Sequence, residues 1–170
     1  MQESFKERVS LRSAKTNAFQ MAVLISGIMY IIIGIAFIIS PLTIFQFFAD
    51  NVSENWIDLV RDHELVAPLY FTVKAFGVLL LSSGLLMIMP LFDPLKYRGI
   101  AYLNGVIFPF ISSIILLKNG LFIGVKRDDS IHSDYMHVPI VIFGVILIVI
   151  FIMVLTTLLM TRKDAKEGKE

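Results

Sequence analysis

The chain has 170 residues, 56% of them hydrophobic and only 17% charged, a balance beyond the apolar share of an ordinary soluble domain. It contains no cysteine, which excludes thiol redox chemistry, disulfide relays and cysteine-ligated zinc or iron–sulfur centres. A net charge of +1 gives no electrostatic reason to expect a nucleic-acid partner.

Four apolar stretches, about 18–40, 67–91, 99–123 and 137–161, each reach the roughly 20 residues that a helix needs to cross a hydrocarbon layer. The predicted fold is all-α: a four-helix transmembrane bundle with a short amphipathic interfacial helix in the first outer loop. Residues 1–17 form a basic arm, 18–161 the membrane domain and 162–170 a basic tail. The apolar run behind the arm exceeds a signal-peptide core and lacks a clear small-residue cleavage site, so the first span is expected to be retained.

Charge sets the expected orientation. Lys6, Arg8, Arg12 and Lys15 in the arm, Lys96 and Arg98 between the middle spans, and Arg162, Lys163, Lys166 and Lys169 in the tail all fall on one side of a four-span chain. The opposite side carries Asp50, Glu54, Asp58, Asp62, Glu64, Asp128, Asp129 and Asp134 against Arg61, Lys126 and Arg127. The positive-inside rule then places both termini in the cytoplasm, in a bacterial inner membrane.

In chain order, residues 1–17 read either as a basic helix on the headgroups or as a solvated arm. In the first span Gly27 and Gly34 lie seven apart with Tyr30 between them, a flat groove suited to close helix approach. Pro41 is expected to stop that helix. Beyond it, Asn51 and Glu54 have capping-box spacing, and Trp56, Leu59, Val60 and His63 share one helical face. The predicted outer helix would hold Trp56 at interfacial depth as an anchor.

The second span is interrupted by one charge, Lys74, followed at helical spacing by Gly77 and Gly84, so this face is expected to pack on another helix. A lysine at a helix centre costs roughly 2.5–3.5 kcal/mol, less where its stem can snorkel toward an end. Lys74 is therefore either a snorkelling or paired lysine or, with Lys118 near the outer end of the third span, an anion or lipid-headgroup site. Pro90, Asp93 and Pro94 close the second span. In the third, Ala101 with Gly105 and Gly120 with Gly124 are small-residue pairs for packing. Pro109 should kink the helix, with Ser112 and Ser113 able to satisfy the freed carbonyls, and Asn104 nearby either glues helices together or lines a polar cavity. The last span, rich in Ile and Val, reads as the most lipid-exposed.

No Asp, Glu or His occurs in a span interior, which disfavours proton relays, cation transport and haem ligation at mid-depth. No cofactor is expected. All three histidines, His63, His132 and His137, fall in the outer loops, where with Glu64 and Asp134 they are either a Zn²⁺ or Cu²⁺ site or unrelated interfacial residues.

The run Gly27, Gly34 and Pro41, then Lys74, Gly77 and Gly84, then Asp93-Pro94 with Arg98-Gly99, resembles the small four-span bacterial families grouped around DoxX-like and BphX-like membrane proteins, over roughly residues 20–120. Those families usually carry arginine where this chain has Lys74. The resemblance implies a four-helix membrane bundle, often without an assigned activity. The favoured expectation is a non-enzymatic membrane protein, an accessory or assembly subunit meeting lipids and other subunits or its own copies through glycine-lined faces or its outer cap. The other is a transporter or binding protein for an anionic or lipid substrate that uses Lys74 and Lys118.

Overall fold

The computed structural model describes residues 14–49, 67–94, 96–122 and 138–167, and every regular element among them is helical. In order they are α1 (Ala14–Ile39), α2 (Pro41–Ala49), α3 (Ala67–Leu86), α4 (Met89–Phe92), α5 (Arg98–Tyr102), a π-helical turn (Leu103–Ile107), α6 (Phe108–Phe122) and α7 (Val138–Glu167). Four stretches are long and apolar enough to cross a membrane: Lys15–Ile39, Pro68–Phe92, Arg98–Leu121 and Val138–Thr161. The chain is a multi-pass membrane protein built as an all-α, four-helix bundle.

Each interruption of a helix has a proline behind it. Pro41 has no N–H for the Phe37 carbonyl, so α1 closes on the bond from Ser40 N–H to the Ala36 carbonyl at 3.0 Å. Pro41 does not end the helical path, however. A proline is as well suited to the first position of a helix as it is unsuited to the interior, and α2 begins at Pro41 itself. This short apolar helix docks Phe45 edge-on to Tyr70 of α3, with ring centroids 5.6 Å apart. In the second span, Pro90 leaves the Leu86 carbonyl without its donor, and the Ile88 N–H tightens onto the Leu85 carbonyl at 3.1 Å before α4 resumes the path. The turn to the third span is pinned by Asp93, whose side-chain Oδ1 accepts the Lys96 N–H at 3.0 Å.

The packed pairs are α1 with α3, α6 with α7, and α1 with α7, so the spans run second, first, fourth, third around the bundle. The second and third spans meet where the Met87 methyl reaches Gly105 but are not a packed pair along their length. The core holds Phe19, Val23, Tyr30, Leu80, Met87, Leu147, Ile150 and Val154, with Phe37 between Phe76 and Phe143. The fourth span is, with the second, the least buried of the four, in keeping with the lipid exposure expected of it. Its stripe of Gly144, Leu147, Ile150, Val154 and Leu158 is buried against the first and third spans, so that it also joins the two halves of the bundle.

Large apolar side chains cover the outside, including Ile32, Ile39, Phe71 and Phe92, each more than 60% exposed. That pattern would be an aggregation hazard in water and is the normal surface of a protein dissolved in lipid. Since lipid tails are as apolar as leucine, the bundle is held by close packing and interhelical hydrogen bonds rather than by hydrophobic burial.

Candidate functional site

The first and second spans meet closely at four glycines. An atom in the Cβ position on Gly34 would lie 2.7 Å from the Gly77 carbonyl oxygen, and one on Gly77 would lie 2.9 Å from the Gly34 oxygen. The same reciprocal relation joins Gly27 and Gly84, at 3.1 and 2.7 Å. Seven-residue spacing on both antiparallel helices therefore superposes two contacts about two turns, or roughly 10 Å, apart. Backbones this near gain dispersion contacts and Cα–H···O interactions that a methyl group would forbid. Lys74, one turn before Gly77, lies at the flank of this seam and is exposed. The expectation that it packs with the glycines is corrected: the glycines turn inward and the ammonium does not.

The small residues expected to pack in the third span are, where described, used within the molecule as well. Gly105 faces Val154 and Met87, Gly120 faces Val141 and Ile140, and Ala101 is fully buried. Gly144, opposite Leu116 and Leu117, adds a contact of the same kind that sequence spacing gave no reason to pair. Gly124 lies outside the described residues.

The polar centre of the bundle forms around the π-helical turn. There the Phe108 N–H bonds the Leu103 carbonyl, one residue wider than an α-helical bond. In that register the next donor, for the Asn104 carbonyl, would be the N–H of residue 109. Residue 109 is proline and has none. The orphaned carbonyl is filled from another helix: buried Tyr30 of α1 donates its hydroxyl to it at 3.0 Å, while its ring meets Phe108 edge-on at 5.9 Å. The Asn104 side chain turns back to donate to the Ile100 carbonyl at 3.2 Å. Ser112 and Ser113 were expected to serve the freed carbonyls. Instead Ser113 donates to the Phe110 carbonyl at 2.8 Å, beyond the break, and the tyrosine does the work.

At the end of the bundle next to the 93–97 turn, two further side chains grip carbonyls on neighbouring spans. Gln20 of α1 donates to the Leu91 carbonyl of α4 at 2.8 Å, and the half-buried Arg98 guanidinium donates to the Leu158 carbonyl of α7. Beside the second lies an open hollow of about 500 Å³, lined by Arg98, Gly99, Tyr102 and Leu158. In the sequence Arg98 marks topology and, with Gly99, forms part of the family resemblance. Its reach to a different span gave no sequence signal.

Lys74 and Lys118 are both exposed, on α3 and α6, which are not a packed pair. Trp56 and the histidines His63, His132 and His137 lie outside the described residues, as does the segment predicted to form the outer amphipathic helix. Among the described residues no group of three His, Cys, Asp or Glu side chains is placed to hold a metal.

Compared with known protein families, with curated proteins and with solved structures, the chain matches none.

Proposed function

We propose that this protein is a non-enzymatic accessory or assembly subunit of a membrane complex, residing in a bacterial inner membrane with both termini cytoplasmic and related to the DoxX-like and BphX-like four-span proteins. The observation that carries the reading is how the polar groups of the spans are spent. The Tyr30 hydroxyl, the Asn104 amide and the hydroxyls of Ser26, Ser113 and Thr157 all donate to backbone carbonyls of the bundle. A core used in this way supports a scaffold, with recognition at its surfaces.

The glycine faces cannot serve as partner surfaces, since the described ones are closed on neighbours within the chain. Contact with another subunit then falls to the lipid-facing flanks and to the segments 50–66 and 123–137 on the outer side. The test is purification in gentle detergent at native expression level followed by mass spectrometry. A companion in fixed ratio supports the subunit reading, and a protein that elutes alone overturns it.

The exposure of both lysines favours a second reading, binding of an anionic or lipid substrate at the outer leaflet through Lys74 and Lys118.

A further inference from the structure

The hollow between the third and fourth spans has the features of a headgroup site. Arg98 stands at the first residue of the third span, at the depth where hydrocarbon gives way to headgroups. Its guanidinium is permanently charged and planar, with a fork of N–H groups that matches phosphate oxygens. It is not a loose surface arginine: the bond to the Leu158 carbonyl ties it to the opposite wall and sets its direction before any ligand arrives.

Opposite the charge the wall is apolar. Leu158 is buried and Tyr102 is 48% exposed, an amphipathic ring at the level where tyrosines favour the membrane interface. Gly99 leaves the mouth clear, with nothing within 4 Å of where its Cβ would stand. The volume, about 500 Å³, falls within the range of small-molecule sites. Leu103 and Leu159, next in sequence to two lining residues, are at least half exposed to the lipid phase. Basic pockets between spanning helices are where anionic lipid headgroups bind.

We propose that this hollow binds the phosphate headgroup of an anionic phospholipid in the leaflet next to the 93–97 turn, with Arg98 holding the phosphate and the acyl chains lying along the third and fourth spans. The site is at the opposite end of the bundle from Lys118 and does not depend on the subunit reading or on which way the bundle faces.

The test uses the full chain in neutral detergent, reading the thermal unfolding midpoint as phosphatidylglycerol, phosphatidylcholine or inorganic phosphate is added. Phosphatidylglycerol should raise the midpoint, and the other two should not. Gly99→Leu fills the mouth where there is open space, so it should fold normally and weaken the phosphatidylglycerol response roughly tenfold or more, the scale of one charge-assisted hydrogen bond. Arg98→Gln should lose the response too, and if that variant fails to fold, Gly99→Leu decides alone. Equal responses to the two lipids, an undiminished response in Gly99→Leu, or an equal rise with inorganic phosphate would each overturn the proposal.

Discussion

The Tyr30 hydroxyl completes the hydrogen bond that Pro109 denies to the Asn104 carbonyl, linking the first span to the third across 74 residues of sequence. Tyr30→Phe keeps the ring and its contact with Phe108 but leaves a buried carbonyl empty. It should cost about 1 kcal/mol, the scale of an interhelical bond in a membrane protein, read as a lower unfolding midpoint. Pro109→Ala restores an N–H at the position that register requires. In that background Tyr30→Phe should cost measurably less, and a double-mutant cycle with no coupling would refute the linkage.

The glycine seam gives a graded prediction. Gly34→Ala and Gly84→Ala each place a methyl group 2.7 Å from a carbonyl oxygen of the opposite helix and should destabilise the bundle by about 1–3 kcal/mol. Gly99→Ala meets no atom and should be close to neutral. Unfolding midpoints of the three variants, measured in one detergent, check the order.

How far the sequence revealed this seam depends on what spacing can encode. Seven-residue intervals mark Gly27 with Gly34 and Gly77 with Gly84 as faces, yet nothing in the chain states that the two faces meet each other rather than a partner. Span positions were legible because apolar length is a property of composition. The helix α2 was not, because a proline both stops one helix and starts the next, and hydropathy is the same either way. The Tyr30 bond was hidden for a different reason. Which carbonyl Pro109 orphans depends on a one-residue change of register at the π-helical turn, and hydropathy carries no trace of that shift. For the candidate site, the lysines were visible as isolated charges, whereas the Arg98 hollow arises only when the third and fourth spans are placed side by side.

Lys74 offers a test of the second functional reading. Exposed at the flank of α3, it takes no part in the glycine seam, so Lys74→Met should leave the unfolding midpoint unchanged or slightly raised. If an anionic substrate binds at the outer leaflet, the same variant should abolish binding of an anionic lipid added from that side. Unchanged binding would remove this reading.

The two clasps at the 93–97 end should act separately, because they join different pairs of spans. Gln20→Ala loosens the Leu91 carbonyl and Arg98→Gln the Leu158 carbonyl, and their costs should add within about 0.5 kcal/mol in the double variant. A strongly non-additive result in denaturant unfolding would mean that the ends of the bundle open as one unit.

The whole account stands on four crossings with the basic segments gathered on the cytoplasmic side. A reporter fused to the carboxyl terminus, active only in the cytoplasm, with a second fused after residue 129 and active only outside, measures this directly in intact cells. The account predicts that both reporters are active. A carboxyl terminus on the outer face, or the 123–137 segment on the cytoplasmic one, would contradict it.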